Sequence, residues 1–177
     1  MDAARLIEHL QLEPHIEGGF FRRSYTSSAT SQAEISSLPG TAASRPAMSS
    51  IYYLLSNHSP TGFLHRNRSE IMHYWQGGGA IRYTLLLQDG SLRCAVLGPD
   101  LLAGQQLQLL APANCWKASE LIASHYDYGL ISEAVCPGFD YQDHQLATPI
   151  DIQSQFSQHW PTLAHLVKAL PHNENRP

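Results

Sequence analysis

No apolar run in the 177-residue chain is longer than a strand: the longest, such as "YTLLL" at 83–87 and "QLLAPA" at 108–113, stop well short of the roughly 20 residues a membrane helix needs. A transmembrane span is excluded on that ground. The first residues, "MDAARLIEHLQLEP", carry Asp2, Arg5 and Glu8 and lack the apolar centre of a signal peptide. Cysteine is scarce. Cys94, Cys115 and Cys136 are odd in number, scattered and without C-x-x-C spacing, which argues against a disulfide framework or a zinc cluster and for buried thiols in a reducing compartment. Charge is thin as well: 15% of residues are charged and the net charge is −4, so no basic field exists to attract a nucleic-acid backbone. The expectation is a cytoplasmic globular protein, one domain over 1–177, with neither nucleic acid nor membrane as a partner.

What is present is a strand-and-turn pattern. Leu6, Ile7 and Leu10 are spaced for a helix over 3–12, closed by Glu13-Pro14. The stretch "EGGFFRRSY" at 17–25 reads as a turn at Gly18-Gly19 followed by a strand in which Phe21, Arg23 and Tyr25 alternate. Ser, Ala and Thr dominate 26–47, which predicts an exposed, mobile loop. From Ser49 to Val135 short strands are punctuated by turns, among them "QDGS" at 88–91, where Asp89-Gly90 accepts the positive φ of a hairpin. Regular strands without intervening helices point to a sandwich or barrel with its core at about 13–145. Leu163, Leu166, Val167 and Leu170 predict a C-terminal helix over about 151–170.

The chemistry concentrates in "GFLHRNRSEIMHYWQGGG", Gly62 to Gly79. Residues two apart share a strand face, so Phe63 points with His65, and Glu70 with Met72 and Tyr74. If both strands turn those faces inward, His65 and Glu70 meet in an apolar cavity. His73 falls on the opposite face from Glu70, so the three cannot chelate one ion without a bulge.

Gly62, His65, Glu70 and Gly77 follow the second half of the first cupin motif, with four residues between His65 and Glu70 and six between Glu70 and Gly77. Together with "EPHIEGGFFRRSY" (13–25), "SSIYYLL" (49–55), "LGPDLLAGQ" (97–105), "APANCWKAS" (111–119) and "VCPGFDYQD" (135–143), the pattern resembles the cupin-5 family. The resemblance implies an all-β fold, a double-stranded β-helix (cupin jelly-roll barrel) with short N- and C-terminal helices, assembled as a homodimer. It also shows departures. Phe63 stands where metal-binding cupins carry their first histidine, and Trp116 stands near where the second motif would supply another. His65 and Glu70 are then two ligands where a transition metal is normally held by three or four. The expectation is no cofactor; a metal, if bound, would require His65, Glu70 and a third group such as His73 or His125.

The functional expectation is a pocket for a small polar ligand, sugar- or nucleotide-like, with His65 as general base and Glu70 as its orienting carboxylate. Glu17, Phe63, Tyr74 and Trp116 are the expected ligand-binding residues. Epimerase or isomerase chemistry without metal would follow. The alternatives are a metal-dependent cupin enzyme and a non-catalytic binding dimer.

Overall fold

The computed structural model describes residues 1–33 and 43–169. Helix α1 (Ala3–His9) starts where the Asp2 side chain accepts the Arg5 amide at 2.9 Å, and it stops earlier than the spacing predicts because Gln11 takes a φ of +53° and turns the chain. The strands that follow are β1 (Glu13–Pro14), β2 (Phe20–Thr26), β3 (Thr30–Ala33), β4 (Ala43–Pro46), β5 (Ser49–Ser56), β6 (Thr61–Asn67), β7 (Glu70–Gly78), β8 (Ile81–Leu86), β9 (Leu92–Leu97), β10 (Gln108–Ala111), β11 (Trp116–Leu121), β12 (Tyr128–Cys136) and β13 (His144–Leu146).

Two antiparallel sheets face each other, with strand orders β1-β2-β5-β12-β7-β10 and β13-β6-β11-β8-β9. This is the jelly-roll sandwich that the sequence resemblance implies. Alternation carries it: along β12, Gly129, Ile131, Glu133 and Val135 are buried while their neighbours are half-buried or exposed. Between the sheets Tyr53, Leu55, Ile81, Tyr83, Leu97, Leu109 and Ile131 form the principal core. On the outer face of the second sheet, Leu64, Leu86, Trp116 and Ala118 pack against Ile152, Leu163 and Leu166 of the C-terminal segment. Each such aliphatic side chain contributes about 1.5–3 kcal/mol of burial.

Three sequence expectations require correction. The stretch 26–47 is not all loop: β3 and β4 pair from Thr30↔Pro46 to Ala33↔Ala43, and residues 34–42 lie outside those described. The C-terminal helix is not continuous. Helix α2 (Pro149–Phe156) opens with a capping box between Thr148 and Asp151, then breaks at Phe156 (φ −138°), and a 3-10 turn leads to α3 (Trp160–Leu163), whose second residue is Pro161. Proline fits a helix's first turn but lacks the amide that an uninterrupted helix would need there; Leu170 lies outside the described residues. Of the three thiols only Cys115 is buried; Cys94 and Cys136 are exposed, because each sits at an outward position of its strand. Among the described residues no helix is long and apolar enough to cross a membrane.

Candidate active site between the sheets

The loop after β1 delivers the first functional group. Gly18 and Gly19 adopt φ of +96° and +68°, a conformation that L side chains rarely take. A Cβ on Gly18 would collide with the Thr61 carbonyl oxygen. The loop is pinned on three sides: the Phe63 amide donates to the Glu17 carbonyl at 2.6 Å, the Gly19 amide to Ser59 Oγ at 2.8 Å, and the Tyr53 hydroxyl to the Gly18 carbonyl at 2.9 Å. The result is a Glu17 side chain turned in between the sheets. Gly18→Ala should therefore lower stability by at least about 2 kcal/mol, read as a fall in the urea midpoint; an unchanged midpoint would mean that the loop is not held as described.

Glu17 gathers histidines from separate elements. Its Oε1 accepts from His144 Nε2 at 2.6 Å, and its Oε2 lies 3.2 Å from His65 Nε2 and 3.5 Å from His15 Nδ1. Burial opposes the charge on this carboxylate, but His65, His15 and the bond from His144 outweigh it and hold Glu17 well below the ordinary carboxylate range.

His65 extends from β6, register partner of Lys117 in β11. Its Nδ1 is 2.8 Å from the Phe63 carbonyl, an acceptor only, so Nδ1 carries the proton and donates. The other nitrogen, Nε2, is buried and has no hydrogen-bond partner among the described residues, because the Glu17 contact lacks bonding geometry. Burial first, then the charge of Lys117, drives the His65 pKa down to about 3, against the opposing pull of Glu17. At neutral pH this is a neutral imidazole, protonated on Nδ1 alone, with the Nε2 lone pair directed into the barrel.

A second polar group faces it. His73 of β7, fully buried, has Nδ1 3.2 Å from the Leu109 carbonyl, so its Nε2 accepts from Lys117 Nζ at 3.0 Å. Glu133 of β12, register partner of His73, lies 3.4 Å from His73 Nε2 and 3.8 Å from Lys117 Nζ. Burial would raise the Glu133 pKa, but Lys117 and His73 overcome it and set it to about 2. Between the two groups lies a cavity of ≈ 40 Å³, lined by His15, Glu17, His65, Lys117 and Glu133 together with apolar Phe21, Ile51, Ile71 and Val135. Exposed Arg23 and Tyr141, with Phe139, lie at its solvent end, and the Arg23 guanidinium is 5.8 Å from the Phe139 ring centre.

The structure brings some of the residues expected from the sequence together and leaves others apart. Glu17 and His65 do meet. Glu70 is exposed, at an outward position of β7, so the carboxylate beside His65 is Glu17 and not Glu70. Tyr74 follows inward-facing His73 and therefore points away from the cavity. Trp116 belongs to the outer core, with the Arg66 guanidinium stacked 4.6 Å above its ring. It borders a polar outer groove of ≈ 630 Å³ that also touches His144. Phe63 is half-buried, with Lys168 Nζ 6.0 Å from its ring centre, and contributes to the site through its backbone carbonyl. His125 is exposed and stacks on Tyr126 at 4.0 Å, while His73 is engaged by Lys117, so the ligand set His65, Glu70 and His73 or His125 does not converge. Among the described residues no group of three or more His, Cys, Asp or Glu is arranged to hold a metal ion.

The spacing argument missed His15, Lys117, Glu133 and His144. A signal for two of them was present. "GLISEAV" puts Glu133 at period two between buried Ile131 and Val135, and "CWKAS" puts Lys117 between buried Cys115 and Ser119, and a charge there has to find a partner inside.

Comparison with known proteins agrees with this architecture. The family model described as Cupin superfamily (DUF985) matches residues 4–147. The uncharacterised protein YML079W of Saccharomyces cerevisiae is 37% identical over 146 residues, spanning 79% of this chain and 72% of its own. A hypothetical protein from Leishmania major superposes with a TM-score of 0.87 at 26% identity, over 96% of this chain and 100% of that one. Protein SO0799 from Shewanella oneidensis gives a TM-score of 0.80 at 30% identity, over 96% and 99% of the two chains.

Proposed function

Because the chain belongs to the cupin-5 family of the cupin superfamily (DUF985), we propose that its barrel is a small-molecule site for metal-independent proton transfer, of the isomerase or epimerase type, with His65 as the base. One observation carries the reading: the buried, unpartnered Nε2 of His65, with its tautomer fixed by the Phe63 carbonyl. A nitrogen lone pair without a donor is free to accept a proton from a ligand, and because burial keeps its basicity low, that step relies on the Glu17 carboxylate beside it.

The surrounding groups suit removal of a proton next to a carbonyl. Lys117 Nζ, directed into the same cavity, can stabilise the negative charge that develops on the carbonyl oxygen. Glu17, 3.2 Å from Nε2, stabilises the imidazolium that forms, and His144 holds Glu17 in place. The cavity of ≈ 40 Å³ is far below the roughly 300–1,000 Å³ of pockets that enclose drug-sized ligands. The reacting end of a ligand enters it, and any sugar or nucleotide portion lies outside, past Arg23 and Tyr141.

The test is deuterium uptake from D2O at carbons next to the carbonyl in short hydroxyketones and keto-sugar nucleotides, followed by mass spectrometry. His65→Gln should slow uptake about a hundredfold. Uptake at the wild-type rate in that variant, with the fold intact, would sink the assignment.

A further inference from the structure

We infer that Lys117 is a carbonyl-reactive amine, and that the barrel condenses small aldehydes or ketones onto its Nζ as an iminium, with His73 Nε2 as the proton acceptor. The inference goes beyond the enolate reading, since forming an iminium requires no proton removal from carbon.

Three observations support it. First, Lys117 is 4% exposed yet borders the cavity, so the cavity is the route by which a small carbonyl compound meets its side chain. Desolvated lysines of this kind are those used for Schiff-base chemistry. Second, His73 has the form the reaction needs. The Leu109 carbonyl fixes its proton on Nδ1, which leaves Nε2 as a lone pair 3.0 Å from Lys117 Nζ. Third, the charge ledger of the interior is preserved. An iminium carries the same single positive charge as the ammonium it replaces, so Glu133 at 3.8 Å keeps its counter-ion throughout.

The steps balance without an added reagent. Lys117 ammonium passes one proton to His73 Nε2, and the amine lone pair attacks the carbonyl carbon while the C=O π pair moves to oxygen. A proton shifts from nitrogen to that oxygen, giving a carbinolamine. His73 then returns its proton to the hydroxyl, which leaves as water while the nitrogen lone pair closes the C=N bond. His73 ends neutral, as it began. Once formed, the iminium withdraws electrons from the neighbouring carbon, within reach of the same cavity that presents His65 Nε2.

The sequence makes the test clean, because Lys117 and Lys168 are its only lysines. Lys168 donates to the Ile16 carbonyl at 2.7 Å on the surface and serves as the internal reference. The full-length protein is treated with acetaldehyde and sodium cyanoborohydride at neutral pH, and peptide mass spectrometry reads the ethyl adduct at each amine over time. The expected result is labelling of Lys117 about tenfold faster than of Lys168 or more. His73→Gln should cut the Lys117 rate about tenfold and leave Lys168 unchanged. Labelling of Lys168 and the N-terminal amine with Lys117 no faster than either would overturn the inference, whatever the behaviour of the variant. Lys117 labelling in a protein that fails the deuterium-uptake test would separate this inference from the proton-transfer reading.

Discussion

Lys117→Met is expected to lower the free energy of unfolding by about 3–5 kcal/mol, a large fraction of the stability of a domain this size. The reason is not the lost attraction alone. Lys117, His73 and Glu133 are all buried, and methionine fills the volume while leaving Glu133 charged with only His73 beside it. An uncompensated buried carboxylate is the costly product. The double variant Lys117→Met with Glu133→Leu removes both charges and should recover most of the loss, since replacing a buried pair by apolar groups is close to neutral. The cost should also shrink as the pH falls. Burial and then the Lys117 charge hold the His73 pKa below its ordinary value, and without Lys117 the imidazole can protonate and pair with Glu133. Urea denaturation of the three proteins checks this; a single variant within about 1 kcal/mol of wild type would show that the ammonium is not buried against Glu133.

The second large effect is acid destabilisation that begins above the carboxylate range. His65 has a folded pKa of about 3 against an ordinary value of 6.5. Between those limits the unfolded chain binds a proton that the folded one refuses, so stability rises with pH there. The contribution is complete above about 6.5 and is lost progressively as the pH falls toward 3. Glu133, at about 2 against 4.5, acts in the same direction over a lower window. By pH 4 the His65 component alone amounts to about 3 kcal/mol. Thermal melts from neutral pH to pH 4 should show the midpoint falling already near pH 6, and His65→Gln should flatten the upper part of that fall. A midpoint independent of pH down to about 4.5 would contradict the burial of a neutral His65.

The fold was legible because its signals are local. The Asp89-Gly90 turn, realised with Gly90 at φ +83°, and the alternation along β12 and the first half of β7 determine which faces turn inward. The site was legible only in part. His65 and Glu17 could be singled out, but their pairing depends on a loop docking 40-odd residues away from β6, which no spacing rule supplies. Glu70 looked like the partner because it is near in sequence. Strand parity could not exclude it, since β6 and β7 belong to different sheets and the connection between them resets the phase. Trp116 misled for a related reason. β11 keeps an unbroken register against β8, in which Lys117 lies opposite inward Leu85 and Ser119 opposite inward Tyr83, so Trp116 falls on the outer face and packs under α2 and α3. The C-terminal stripe was real, and Leu163 and Leu166 are buried, but Pro161 cut the helix that the stripe suggested.

The protonation state of His65 tests the central claim most directly. Nitrogen-15 spectra of histidine rings, with His65 assigned by its loss in His65→Gln, distinguish a bare ring nitrogen from a protonated one. The account predicts a neutral ring at neutral pH with the proton on Nδ1 and a bare Nε2, unchanged until the pH approaches about 3. A proton on Nε2 at neutral pH, as the other tautomer or as imidazolium, would contradict it, because the barrel would then hold no free base.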